Sequence, residues 1–356
     1  MPEGVHDPSA PSGGNAYDRR VCRDLPRIGW QVHEHLAGGG WPRPGISGRA
    51  ELARILRRPE DGSLVLLDGL VACAAPDIVV PEAERLRLAV LVHLPLGDET
   101  GLDPGSATIL DLGERRTLRA AAAVVATSTW AAGRLVDHHG LLPERVHVAA
   151  PGADVAPLAH GSGDVPRLLC VAAVIPRKGQ QRLVESLAAL SDLPWSCVCV
   201  GGLDRDPGYA ARLRGLIAEC DLADRVHLAG PRTGARLSAS YAAADLLVLP
   251  SSAETYGMVA TEALARGVPV VASAVGGLPE AVGAAPGGSV PGALVPPGDR
   301  AALTAALRRW LCEPGEQDRA RAAARDRRLA LAGWETTARS LAGALDRLRQ
   351  EPRRQP

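Results

Sequence analysis

Two glutamates, Glu254 and Glu262, sit eight positions apart in a stretch that begins at Asp245 and reads DLLVLPSSAETYGMVATEALARGVPVVAS. Paired carboxylates suggest glycoside hydrolysis, one acting as acid and the other as base or nucleophile. The spacing argues against it. A hydrolase holds its two carboxyls roughly 5–9.5 Å apart across the scissile bond, whereas eight helical positions separate two backbones by about 12 Å along one element. A second chemistry fits better. DLLVLP predicts a strand, and a helix is expected to start near Thr255–Gly257, leaving the amides of Gly257, Met258 and Val259 without intrahelical partners. Free amides at the positive end of a helix favour an anion, and a glycine there lets a phosphate approach the backbone. Glu262 then lies about one and a half to two turns further on, where a carboxylate suits the paired hydroxyls of a ribose. Taken in isolation, both glutamates also read as solvated positions on an amphipathic helix. The strand, loop and helix around them, with GVPVVASAVGGLPE following as another strand and Gly-rich loop, weigh against that.

Three other features carry possible chemistry. Lys178, the chain's single lysine, follows an apolar run and can bring a positive charge to a diphosphate; it also fits a solvated helix start. His93 follows LAVLV and is expected to project from a strand end, although a lone histidine is more often structural. Gly13 and Gly14 form a loop whose amides can approach a ligand, or a simple flexible turn. His33, His35, His138, His139 and His147 fit no comparable pattern and read as structural.

The elements that must position these residues alternate throughout. QVHEHL, SLVLLDG, RLAVLVHLP, AAVVATS and RVHVAAP read as strands in the first half, with helices around Tyr17–Ile28, Gly48–Arg57, Ala107–Ala120 and Trp130–His139. Pro151–Pro166 loses all periodicity and suits an interdomain linker. RLLCVAAV, WSCVCVGG, RVHLAG, DLLVLPS, VPVVAS and GALVPP continue as strands of a second sheet, and Leu303–Leu311 and the segments after Asp318 read as helices. Alternation of this kind predicts an α/β protein with parallel sheets. The expected division is 1–155, 166–330 and a terminal helix and tail over 331–356. One feature is awkward: PSAPSGGNAYDRR should follow a first strand, yet MPEGVH is short and polar. Either the true start lies upstream or the first sheet lacks a strand.

At 356 residues the chain suits two domains, and a net charge of zero gives no footprint for nucleic acid or anionic membrane. Seven cysteines with no C-x-x-C pair read as reduced; Cys170, Cys197 and Cys199 fall in strand-like runs. No signal peptide and no apolar run of membrane-spanning length is evident, so the cytoplasm is the expected compartment. DRD at Asp204–Asp206 matches D-x-D only as a string, no metal-ligand spacing is present, and no G-x-G-x-x-G supports a nicotinamide dehydrogenase.

ETYGMVATE resembles the E-x7-E signature of the retaining GT-B glycosyltransferases of glycosyltransferase family 4. SGGNAYDRR is similar to that family's N-terminal Gly-Gly loop, VHLP to its His-bearing strand end, and VIPRKGQQRLVESL to the diphosphate-clamp segment opening its second domain. The resemblance implies a GT-B fold, two doubly wound Rossmann-like domains facing across a cleft, the first on the acceptor side and the second binding the donor. It implies a metal-independent transfer, without cofactor, from a nucleotide-sugar donor to a small-molecule, glycan or lipid-linked acceptor. It assigns Glu262 to the donor ribose, Glu254 to hydroxyls of the transferred sugar, the amides of Tyr256, Gly257, Met258 and Val259 to phosphate and sugar, Lys178 to the diphosphate, His93 to the donor sugar, and Gly13 and Gly14 to the diphosphate or acceptor. The chain departs from the pattern at Ala172-Ala173, where the family has Gly-Arg, and Arg177 is the candidate replacement cation. A nucleotide-sugar epimerase of the same fold and a non-catalytic sugar-nucleotide-binding protein stay open.

Overall fold

The computed structural model describes residues 1–7, 11–99 and 101–350; part of the PSAPSGGNAYDRR segment and the end of the RQEPRRQP tail lie outside them. The chain forms two compact units. Of the described residues, the first comprises 1–7, 12–151 and 334–350, and the second Pro11 and Gly152–Gly333.

In the first unit, β1 (Leu64–Asp68), β2 (Arg87–Val92), β3 (Ala123–Ala126) and β4 (Val146–Val148) form one parallel sheet in sequential order. Leu88, Val90, Val92, Val124 and Ala126 pack with Leu52, Leu56, Leu118 and Leu135 from the surrounding helices. QVHEHL, expected as a strand, is not one. Its run of polar side chains offers too few apolar groups for a parallel sheet covered on both faces, and Leu36 is exposed. What remains of pairing there is a single parallel bridge between Pro2 and Ala37. MPEGVH likewise forms no strand: Glu3–His6 is a turn of 3-10 helix. Gly13 and Gly14, expected in a loop, are the first residues of the helix Gly13–Asp24, because Ser12 caps it by accepting the Asn15 N–H. The helix Trp334–Gln350, expected in a separate terminal segment, buries Leu341, Leu345 and Leu348 in this unit. Thr337 donates its hydroxyl to the Ala150 carbonyl at 2.8 Å, and Arg87 donates to that of Leu348 at 2.6 Å.

The second unit holds β5 (Arg167–Val171), β6 (Ser196–Val200), β7 (Val226–Leu228), β8 (Leu246–Leu249), β9 (Val270–Ser273) and β10 (Gly292–Val295), all parallel, in the order β10-β9-β8-β5-β6-β7. Helices cover both faces, so the strands read as near-continuous apolar runs. Leu168 and Cys170 enter one core with Trp195, Leu307 and Trp310, while Leu169 enters the other with Leu247, Leu249 and Val270. The alternation is the ordinary consequence of the pleat. The segment expected as a linker belongs largely to this unit: Ala153 donates its N–H to the Ala332 carbonyl, Ala159 to that of Arg266, and His160 and Gly161 to that of Ala242. All seven cysteines are unbridged.

Candidate functional site

The sheet of the second unit reverses its winding between β5 and β8. At such a switch point two strands send their following loops to opposite faces, and a crevice opens beyond their carboxyl ends. Lys178 comes from the loop after β5 and Glu254 from the loop after β8. The two form an ion pair in which the Lys178 ammonium donates to Glu254 Oε1, with side chains 16% and 10% exposed. Ser251 donates its hydroxyl to the same oxygen at 3.1 Å. Lys178 is therefore not the solvated lysine its type allows. Arg177, expected as a replacement cation, stands in the same place and ties the loops together: its Nη1 donates to the Ala253 carbonyl at 3.1 Å, and its own carbonyl accepts the Ser252 N–H at 2.8 Å. Ala172 and Ala173 continue the strand end, with the Ala172 N–H on Val200 and the Ala173 carbonyl accepting from Gln180.

Glu254 is fixed through its backbone by a third loop. The Gly277 N–H donates to the Glu254 carbonyl at 2.9 Å. Gly276 has φ +58, and a Cβ there would stand 1.8 Å from that carbonyl oxygen. Only a residue without a side chain permits this approach. Tyr256 is partly buried, and burial, with the Glu280 charge second, pushes its hydroxyl up to about 12. The helix begins at Met258, slightly later than expected, with Gly257 at φ +101 as its N-cap and no side chain capping it; Val259 lies in the first turn. Glu262 follows on this helix. Tyr241, buried at the end of the helix Gly234–Ala242 that precedes β8, donates its hydroxyl to Glu262 Oε2 at 2.8 Å. Burial first, and the Glu262 charge next, raise the Tyr241 hydroxyl well above its ordinary value, so it stays a donor. Arg266 lies 4.8 Å over the Tyr241 ring and donates to the Glu262 carbonyl.

Ser251, Tyr241, Gly276 and Gly277 were not singled out from the sequence. The Gly-rich loop AVGGLPE carried a usable signal, since it follows a strand of the same sheet. Nothing local marks Tyr241, whose contact depends on how the helix before β8 lies against the helix after it.

In the first unit His93 stands just past the carboxyl end of β2. Its Nε2 bonds Asp18 Oδ1 at 2.7 Å, the side chains being 17% and 3% exposed. Asp68, at the end of β1, accepts the Leu70 N–H at 2.6 Å and stands in the same cluster. Burial lowers the His93 ring's affinity for a proton, but the Asp18 charge and hydrogen bond outweigh it and the net shift is upward. Burial likewise pushes Asp18 up, yet the His93 charge and hydrogen bond carry it below its ordinary value. Asp68 is pushed up to about 7, by burial first and by the Asp18 charge second. The ring is packed edge-to-face on Tyr17, with centroids 5.2 Å apart. A Cβ on Gly14 would meet it at 3.1 Å, so Gly14 makes room for the ring here. Gly13 lies beside it at the helix start.

Among the described residues, two groups bring three potential metal-ligand atoms within 4.8 Å: Asp111, His138 and His139, and Asp18, Asp68 and His93. In the second group the Asp18–His93 separation of 2.7 Å is a hydrogen bond; two ligands of a tetrahedral zinc stand about 3.4 Å apart, given bonds near 2.1 Å. Asp206 of the DRD triplet caps the helix Pro207–Glu219 by accepting the Tyr209 N–H, which accounts for its presence.

Comparison with known proteins bears on this arrangement. The family described as "Glycosyl transferases group 1" matches residues 159–327. A D-inositol 3-phosphate glycosyltransferase 1 of Catenulispora acidiphila is 33% identical over 299 residues, covering 76% of this chain and 69% of that one. The chain belongs to the group 1 glycosyl transferases. A D-inositol 3-phosphate glycosyltransferase of Kineococcus radiotolerans is 36% identical over 250 residues, which are 64% of this group 1 chain and 57% of the relative. With others at 47% and 44%, the chain spans about half the length of these curated relatives. Sucrose-phosphate synthase from Thermosynechococcus elongatus superposes with a TM-score of 0.77 at 25% identity over 97% of both chains. Anabaena HepE in complex with UDP and glucose gives 0.75 at 19% identity, covering 95% of this chain and 97% of that one. These neighbours show the GT-B fold. Among the described residues no helix is long and apolar enough to cross a membrane.

Proposed function

We propose that this chain transfers a sugar, a hexose by its family 4 resemblance, from a nucleotide-diphosphate sugar to an acceptor hydroxyl, with retention of anomeric configuration and without a metal. The observation that carries the reading is the Lys178–Glu254 pair at the β5/β8 switch point, with Glu262 held by Tyr241 on the helix that follows. A diphosphate arriving there meets the single lysine, and its ammonium offsets the charge that builds on the departing group. Glu254, sharing that ammonium, accepts hydroxyls of the transferred sugar, and Glu262 those of the ribose. The amides from Tyr256 to Val259 face phosphate and sugar. His93 acts on the transferred sugar, and Gly13 contributes backbone amide to the diphosphate or acceptor.

The bond from the anomeric carbon to the diphosphate oxygen breaks with oxocarbenium character. The acceptor oxygen attacks from the face the diphosphate leaves, and the acceptor proton passes to the leaving phosphate oxygen. No protein nucleophile is required. The cytoplasm, where nucleotide sugars are made, is the proposed compartment.

The relatives' names supply the first acceptor to assay, D-inositol 3-phosphate, and HepE's bound UDP the first donor base. A thermal-shift screen over UDP-, GDP- and ADP-sugars, with and without EDTA, tests donor binding, because a ligand of the folded state raises its apparent stability. Proton NMR of the product then reads the anomeric configuration. No shift with any nucleotide sugar, or an inverted product, overturns the reading; free epimerised nucleotide sugar without acceptor marks an epimerase instead.

A further inference from the structure

The first unit contains a buried arrangement of which the glycosyl-transfer reading uses only His93, leaving Asp18 and Asp68 without a task. Asp18 is 3% exposed and Asp68 7%, and neither has an arginine or lysine among the partners described for it; the charged groups facing them are each other, His93 and the α-amino group of Met1. Burying two carboxylates beside an imidazole is unfavourable, and well-packed apolar side chains of similar volume would serve stability at least as well. The cluster also stands at the carboxyl ends of β1 and β2, where ligands of parallel sheets bind. Its parts come from three elements: Asp18 from the helix Gly13–Asp24, Asp68 from the end of β1 and His93 from beyond β2.

The ring is held on several sides. Tyr17 packs against it edge-on while its own hydroxyl donates to the Ala149 carbonyl at 2.8 Å. Gly14 lets the helix backbone approach the ring closely. These contacts fix where the imidazole lies but not where its proton sits. The hydrogen bond to Asp18 does that. An ionised carboxylate only accepts, so the Nε2 facing Asp18 Oδ1 at 2.7 Å must carry a hydrogen.

We infer that Asp18 is a positioning residue for His93: it holds the neutral ring in the Nε2–H tautomer, with Asp68 completing the buried cluster that keeps Asp18 in place. This deepens the glycosyl-transfer reading, and its kinetic consequence rests on that reading. The tautomer itself does not. An imidazole that meets a sugar hydroxyl in one tautomer presents an acceptor, and in the other a donor; a ring of mixed tautomers offers the wrong group part of the time. Fixing a histidine tautomer with a buried aspartate is worth up to about 10⁴ in turnover where the ring works on the reacting atoms.

The test is Asp18→Asn, nearly isosteric, with Asp18→Glu as the rescuing variant and Asp111→Asn, which breaks the surface pair with His138, as a control. Nitrogen-15 NMR of His93, measured above its titration, reads the tautomer. The expected result is an Nε2–H ring in the wild type, in Asp111→Asn and in Asp18→Glu, and an Nδ1–H ring in Asp18→Asn, whose amide donates to Nε2. Turnover of nucleotide sugar is expected to fall at least about 100-fold in Asp18→Asn, with the affinity of free nucleotide unchanged and the acid limb of the pH profile displaced, and to return in large part in Asp18→Glu. An unchanged tautomer in Asp18→Asn overturns the inference whatever the activity. A switched tautomer with undiminished turnover overturns its kinetic consequence, and a wild-type chain that turns over no nucleotide sugar fails the function reading while leaving the tautomer result to decide the inference. Tight Mn²⁺ or Zn²⁺ binding that Asp18→Asn abolishes would also overturn it, by showing the cluster to be a metal site.

Discussion

Replacing Gly276 by alanine tests how Glu254 is held. The new methyl would start 1.8 Å from the Glu254 carbonyl oxygen and 2.9 Å from its carbonyl carbon, closer than any carbon tolerates against backbone. Both sides are main chain, so no side chain can swing away. Relieving the contact requires a displacement of roughly 1 Å, and a misplacement of that size at a reacting group costs about 100-fold in rate. The left-handed φ of +58 adds about 1–2 kcal/mol of backbone strain for any residue with a Cβ. The two effects separate with a second variant. Gly298 has φ +80 and nothing within 4 Å of a built Cβ, so Gly298→Ala carries the strain without the collision. Denaturant unfolding and steady-state turnover are the assays. Gly298→Ala should lose about 1 kcal/mol of second-unit stability and keep its turnover; Gly276→Ala should lose more stability and about 100-fold in kcat. Equal behaviour of the two variants would refute the reasoning, because it would show that the loop carries Glu254 along without consequence.

Other perturbations address neighbouring groups. Lys178→Ala strands a mostly buried carboxylate and should destabilise the second unit by about 3 kcal/mol, whereas the double change Lys178→Met, Glu254→Gln should recover most of that; chemical denaturation of both reads the difference. Glu262→Ala should weaken free nucleotide binding by calorimetry, while Glu254→Ala should lower turnover more than nucleotide affinity; equal losses would merge the roles. Asp68 titrates near 7 in the folded chain against 3.8 ordinarily, so the native state keeps a proton that the unfolded chain has already released between about pH 4 and 7. Stability then falls as pH rises through that window, and the upward shift of His93 acts in the same direction as pH passes its folded value. Asp68→Asn should gain on the wild type between pH 5 and 8 in first-unit unfolding; a constant difference would exclude the shift.

The second unit was legible because its central strands β5, β8 and β9 are buried along most or all of their length. RLLCVAAV, DLLVLPS and VPVVAS have no competing pattern, and the strand-loop-helix around ETYGMVATE placed both glutamates correctly on a loop and a helix. The first unit was harder where burial is one-sided. QVHEHL alternates like a strand, yet it lacks the side chains to hold a place in a covered sheet. Asp18 and Asp68 look in sequence like a helical surface residue and a turn aspartate; their partnership with His93 depends on three elements meeting, which no local spacing records. Arg177 was read by charge alone, but its reach to the Ala253 carbonyl is set by the approach of two loops distant in sequence.

The return of the chain to its first unit through the helix Trp334–Gln350 has a consequence for synthesis. The strands and helices of the second unit all lie in one run, Gly152–Gly333, so its sheet can close once about Gly333 has left the ribosome. The first unit cannot finish then: Ala150 waits for Thr337, and Arg87 for the carbonyl of Leu348. The earlier-translated unit is thus the later to mature, and until its last helix docks it presents β1–β4 with part of their cover missing. A chain cut short near residue 333 would carry a complete second unit together with an unfinished first one, and that species is where chaperone capture or proteolysis of this chain should concentrate.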